Sequence, residues 1–315
     1  MVAAEREDFV NDGVTTAGGL AALGALVTEQ IDPRRRQLEA LDTTELATAM
    51  NDADSEVPLA VRAALPSIVA AIDAAVPRLE RGGRLIYAGA GTSGRLAVLD
   101  AAECPPTFRT DPEQVQAVIA GGDSAIRNAS EGAEDDFEAG AAALRERRVG
   151  PDDVVVGLSA SGRTPYVLGA VAAAAEAGAL TAGVMCNRDV ALARAVQHPI
   201  EVVVGPEVLT GSTRLKAGTA QKLVLNMMST ILMVRLGKTY GSLMVDLKAT
   251  NEKLVARAQR IVVTITGADE IVAAQALQQS GGEVKTAVVM IVKALPADAA
   301  RALVERAGGH LDAVL

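Results

Sequence analysis

Leu85-Ile86-Tyr87-Ala88-Gly89-Ala90-Gly91-Thr92-Ser93-Gly94 is the stretch on which the fold turns. Four apolar residues run into a glycine-rich turn, and a helical pattern opens behind it at Leu96 and Leu99. That is the signature of a short buried strand feeding a helix. The same grammar repeats outward: residues 115–120, 154–158, 181–185 and 200–204 are short apolar runs separated by helical segments. Near-continuous valine runs belong to strands covered on both faces, and strand–helix alternation predicts a mostly parallel sheet. The expected fold is therefore α/β: a three-layer parallel sheet of about five strands, with helices before it and a small helical domain after it.

Residues 1–25 read as a loosely attached extension, since Gly13, Gly18 and Gly19 work against a stable helix. Residues 58–79 place Val61, Leu65, Ile68 and Ile72 at three- and four-residue spacing, an amphipathic helix ended by Gly82 and Gly83. Beyond the last strand, a polar segment, 210–222, feeds an apolar helix at about 220–236. Helical stretches follow at 252–264, 268–278, 284–295 and 298–307, with Pro296 as a breaker. The expected domains are 1–25, a sheet domain at 26–245 and a helical domain at 246–315.

Composition narrows the function. Aromatics make up 2% of the 315 residues and the net charge is −9, which argues against stacking on bases and against a phosphate-tracking basic stripe. Nucleic acid is thus not an expected partner. The apolar runs are too short or too interrupted to span a membrane, and the N-terminus, MVAAEREDF, is acidic where a secretory segment would be basic. Two cysteines offer no disulfide framework, and a cytoplasmic location is expected.

Gly89, Gly91 and Gly94 match G-x-G-x-x-G, yet the second apolar run ends in Ala120-Gly121-Gly122 rather than in the acidic residue a dinucleotide fold wants on the ribose. A phosphate without its nucleoside fits better. Gly91, Thr92 and Ser93 would form one half of such a site. Ser159, Ser161, Gly162, Arg163 and Thr164 would form the other, with Thr164 as helix cap and Pro165 at the first helical position. Hydroxyls, amides and a helix dipole make an anion site without metal. Arg214 and Lys216, in a Ser/Thr/Gly loop before a helix, are further candidates to meet an anion, or else a charged surface turn.

Two carboxylates stand near the first loop. The helix opened near Ser93 should stop before Cys104-Pro105-Pro106, which puts Glu103 in its last turn. There the carbonyl end of the helix dipole suits a carboxylic acid that hands a proton to a leaving group. Glu134, three residues after Glu131, is the second candidate. Cys104 reads as buried filler, and His198 and His310 join no cluster, so no metal site is expected.

LIYAGAGTSGRLAVLDAAECPPT at 85–107 resembles the N-acetylmuramic acid 6-phosphate etherase family. So do IAGG at 119–122, EGAED at 131–135, SASGRTPYV at 159–167, TGSTRLKAGTAQKLVLNMMST at 210–230 and MVDLKATNEKL at 244–254. The resemblance runs from about Val27 to the C-terminus. It implies a sugar isomerase-type (SIS), flavodoxin-like phosphosugar-binding domain followed by a small three-helix module of ubiquitin-associated type. It also implies a homodimer, with sites that two subunits could share. The implied reaction, cofactor-free, removes D-lactate from N-acetylmuramate 6-phosphate and leaves N-acetylglucosamine 6-phosphate. Glu103 matches the first catalytic glutamate and Glu134 the second, with the acid and base roles interchangeable at this level. TEQIDPRRRQLEALD resembles the family's opening segment, with Asp32 where an Asn is usual. A sugar-phosphate isomerase and a non-catalytic phosphosugar sensor are the rival readings.

Overall fold

The computed structural model describes residues 24–35, 37–130, 132–247 and 252–315. Nearly all of the expected extension at 1–25, and Glu131, lie outside them.

Helices α1 (Thr43–Ser55) and α2 (Val57–Glu80) precede the sheet. Asp42 starts α1 in a full capping box, accepting from the Glu45 N–H while the Glu45 side chain accepts from its own. The sheet follows as β1 (Leu85–Gly89), α3 (Gly91–Phe108), β2 (Val115–Ile119), α4 (Ser124–Arg127), α5 (Phe137–Glu146), β3 (Val154–Leu158), α6 (Pro165–Glu176), β4 (Leu180–Met185), α7 (Ala191–Ala195) and β5 (His198–Glu201). Its five strands lie in the order β2-β1-β3-β4-β5, all parallel. Both ends of β5 differ from the expected 200–204, since pairing begins at His198 and stops at Glu201.

Alternation along each strand builds two cores. Leu85, Tyr87, Val154 and Val156 join α2, α3 and helix α8 (Lys216–Arg235) on one face. Ile86, Ala88 and Val155 join α5, α6 and α7 on the other. On that second face α5 and α6 cross backbone to backbone. A Cβ added at Gly140 would lie 1.9 Å from the Tyr166 carbonyl oxygen, and one at Gly169 would lie 1.9 Å from that of Phe137.

The stretch 43–80 is long and apolar enough to cross a membrane by length and composition. Instead, α2 buries Val57, Val61, Ile68, Ile72 and Leu79 in the first core. Beyond α8 come a hairpin, β6 (Thr239–Tyr240) with β7 (Leu243–Met244), and four helices: α9 (Glu252–Thr266), α10 (Glu270–Gln279), α11 (Val284–Lys293) and α12 (Ala297–Arg306). The four match the four helical stretches read from the residues, one more than the three-helix module implied by the resemblance. They enclose a third core with Val245 and Leu247. Ion pairs Arg109–Glu283 and Lys238–Asp246 join this tail to the sheet domain.

Candidate functional site

The strand order sets the site. The chain leaves β1 toward β2 and then returns across the sheet to β3, so β1 and β3 are neighbours whose connections part in opposite directions. Ligands in open α/β sheets bind at such a point, outside the carboxyl ends of the strands. Gly89 and Leu158 are register partners there. The loops that follow them, 90–93 and 159–164, are the two singled out by sequence.

Close packing explains the glycines of the first loop. A Cβ on Gly89 would fall 2.7 Å from the Gly94 nitrogen, and one on Gly94 would fall 2.5 Å from Ile119 Cγ1, so both serve strand–helix contact. Gly91 is different. Its φ of +52° suits glycine, and no atom lies within 4 Å of its Cβ position, so the backbone is open to a ligand. No side chain caps α3. Its first N–H groups are therefore free for an anion, with the dipole behind them.

Neighbouring side chains fix this turn. Ser93 is buried, and its Oγ donates to Gln221 Oε1 of α8 at 2.8 Å. Position 93 thus offers a ligand its backbone, not its hydroxyl. Thr92 abuts Gly218 of α8, whose Cβ would lie 3.4 Å from the Thr92 methyl.

In the second loop the hydroxyls converge. Ser159 Oγ shares a hydrogen bond of 2.7 Å with Thr164 Oγ1 and lies 3.3 Å from Ser161 Oγ. The Gly162 N–H donates to Ser159 Oγ at 3.0 Å, and the Arg163 N–H to Ser161 Oγ at 3.3 Å. Thr164 does occupy the cap position of α6, but its hydroxyl is turned to Ser159 rather than to the helix. Asn187, past the end of β4, holds the loop from behind. Its Nδ2 donates to Ala160 O at 3.1 Å and to Thr28 Oγ1 at 3.0 Å, so the N-terminal segment is tied to the same loop.

Glu134 lines a cavity of about 220 Å³ with Gly91, Arg95, Ser130 and Gly132. Arg95 shapes its wall, donating to the carbonyls of Ile126 and Asn128 at 3.0 and 2.9 Å. The volume falls below the roughly 300–1,000 Å³ of small-molecule sites. A larger cavity of about 650 Å³ runs beside the edge strand β2, but it includes none of the predicted site residues.

Three expectations need correction. The helix carrying Glu103 does not stop at Cys104; α3 continues through Pro105 and Pro106 to Phe108, where Arg109 adopts a left-handed cap. The carbonyl end lies there, and the dipole argument for Glu103 as the acid loses its footing. Glu103 is exposed and stands eleven residues after Thr92, roughly 16 Å of helix rise. That rise puts it beyond hydrogen-bond reach of a group bound directly at the first turn of α3.

Helix α8 opens at Lys216, not near 220, and Lys216 is only 1% exposed. Its Nζ donates to Val204 O at 2.6 Å and to Glu56 at 3.3 Å, so it serves the core rather than an anion in solution. Glu207 accepts from the Lys216 and Ala217 N–H groups at 2.9 Å each and fills the start of α8. Arg214 is exposed and has no partner among the described residues.

Cys104 is inert, since burial, with Asp100 and Glu103 nearby, pushes its thiol up to about 12. Sequence reasoning missed Gln221, Asn187, Arg95 and Glu207. Only Asn187 carried a local signal, as a polar residue just past the apolar strand run at 181–185.

A five-stranded parallel sheet with an uncapped helix turn and a hydroxyl-lined loop at its switch point defines a phosphosugar-binding domain of the sugar isomerase type. Residues 67–175 match the glucokinase regulatory protein N-terminal SIS domain. Over 295 residues the chain is 57% identical to the N-acetylmuramic acid 6-phosphate etherase of Streptomyces avermitilis, covering 94% of this chain and 95% of the relative. Identity to that of Rubrobacter xylanophilus is 58% over 279 residues, or 89% and 93% of the two chains. For that of Yersinia pestis it is 52% over 294 residues, or 93% and 100%. The chain belongs to the N-acetylmuramic acid 6-phosphate etherase family.

Proposed function

We propose that this chain cleaves the D-lactyl ether of N-acetylmuramate 6-phosphate at a site completed by a second copy. The 6-phosphate is held between the uncapped turn of α3 and the hydroxyls of the 159–164 loop, and the sugar lies toward Glu134. The open-chain aldehyde acidifies the C2 proton. One glutamate, as carboxylate, takes that proton. The other, as carboxylic acid, protonates the C3 ether oxygen as the C–O bond breaks. D-Lactate departs and leaves an unsaturated aldehyde. Water then adds at C3, a proton returns to C2, and ring closure gives N-acetylglucosamine 6-phosphate. Atoms balance with one water consumed and no cofactor.

The observation that carries this reading is Glu134 in one cavity with Gly91. Proton transfer needs hydrogen-bond reach, and Glu134 alone is near the first loop in one chain. Glu103 therefore enters from a partner subunit. Two features favour that: the undersized cavity, and Leu99, 53% exposed one helical turn before Glu103. The two buried cysteines are free, in keeping with a cytoplasmic location.

Assay of D-lactate after incubation with the 6-phosphate and with its non-phosphorylated analogue tests the reaction. Release from the first and not from the second is expected; none from the 6-phosphate would sink it. Glu103→Gln and Glu134→Gln should each lose about 10²–10⁴-fold in kcat. In deuterated water, the variant lacking the base loses exchange at C2, while the variant lacking the acid keeps exchange and loses lactate. Mixing the two inactive variants should restore one working site per mixed dimer, which a site built within one chain would not do.

A further inference from the structure

A half-buried carboxyl that takes no direct part in this chemistry lies one turn before Glu103. Asp100 Oδ2 accepts from the Tyr87 hydroxyl of β1 at 2.9 Å, and its Oδ1 accepts from the Ser229 hydroxyl of α8 at 3.1 Å. Burial pushes the Asp100 carboxyl up, against the pull of both hydroxyls and of Lys222. Tyr87 is wholly buried. Such an arrangement is costly unless fully paired, so its value to the fold must be sought in what it fixes.

The helix around it is weak in its own bonds. Pro105 and Pro106 lack N–H groups, and the carbonyls of Ala101 and Ala102 four residues back lose their usual donors. Glu103 sits on this loosened stretch. Apolar side chains of α3, Ala97 and Ala101 among them, share the first core with Ala217, Ala220, Val224 and Leu225 of α8. Two polar rungs interrupt them: Ser93 to Gln221, and Asp100 to Ser229. The rungs are seven residues apart on α3 and eight on α8, about two turns on each, so the two helices are pinned in register along their length.

We propose that Asp100 is a positioning residue for Glu103. It locks the height and rotation of the proline-weakened half of α3 against β1 and α8, so that Glu103 arrives at the neighbouring subunit's sugar in the productive place. This rests on the role given to Glu103 above. The phosphate loops are held by other contacts, so loss of the lock strikes the chemical step and spares substrate grip.

Steady-state kinetics of the full chain on the 6-phosphate ether test this, with kcat expressed per folded site. Asp100→Ala should lower kcat on the order of tenfold to a hundredfold and leave KM within about twofold, since an error of about 1 Å costs that much. Asp100→Asn, which still pairs with both hydroxyls, should recover most of the loss. Tyr87→Phe and Ser229→Ala remove one rung bond each and should give smaller falls in kcat; they decide the matter if Asp100→Ala does not fold. Unchanged kcat in the folded variants, or a rise in KM equal to the fall in kcat, would overturn the positioning role while the etherase reading stands. No lactate from the unaltered protein would overturn both.

Discussion

Helices α3 and α8 both start at the carboxyl edge of the sheet, and both follow turns rich in Gly, Ser and Thr. One N-terminus is open and the other is full. At α8, Glu207 already takes two N–H groups, and Lys216 folds back onto Val204. At α3 no side chain intervenes, and Gly91 leaves the approach clear. A helix dipole and a polar loop are thus not enough to make an anion site. What decides is whether the protein has already supplied the anion.

The sharpest way to break this contrast is to plug the open end. Thr92→Glu places a carboxylate at the start of α3, as Glu207 does at α8. The like charge facing the phosphate should raise KM by at least about a hundredfold, with the thermal midpoint unchanged; wild-type KM would show that the phosphate sits elsewhere. Next is Ser159→Ala, which removes the hydroxyl joining Ser161, Thr164 and the Gly162 N–H. Ser159 is itself buried, so its loss loosens the loop; forfeiting these bonds, about 0.5–1.5 kcal/mol, should raise KM by up to about tenfold.

Unplugging the filled end should do the reverse. Glu207→Gln leaves one buried N–H facing an amide and should cost about 1–3 kcal/mol in urea unfolding, with KM unchanged. The smallest effect is its pH dependence. Burial pushes Glu207 up more than the two N–H bonds and Lys216 pull it down. A folded acid that holds its proton more tightly than the unfolded one contributes stability that is full below the unfolded value near 4.5 and declines as pH rises through the folded value. The stability gap between wild type and Glu207→Gln should therefore narrow from pH 4 to pH 8; a gap that widens would reverse the sign of this contribution.

The same contrast marks what could be read without coordinates. Strand identity was legible because runs such as Val154-Val155-Val156 have one use, a strand covered on both faces. The position of the two loops proposed to hold the phosphate was legible because polar, glycine-rich turns stand directly after those strands. The plug was not, because Glu207 and Lys216 meet only when the chain folds back, and a turn with two basic residues looks alike whether its helix is filled or free. The end of α3 was misjudged because prolines weaken a helix locally, whereas packing of Cys104 and Phe108 into the core carries it onward. The proposed share of a partner subunit in the site could only be weighed once Glu103 was seen far along α3 from its first turn.

Gly140 and Gly169 have a last consequence. Their crossing joins α5, which begins just after Glu134, to α6, which begins just after the hydroxyl loop. The span from Glu134 to the 159–164 loop, the two parts of the proposed site, is thus measured out by main chain resting on main chain, with no side chain between that could breathe or repack. Even a single methyl at either glycine would push the two helices apart and lengthen that span, and on the proposed mechanism a ruler of the wrong length would still hold the substrate but reach for the wrong carbon.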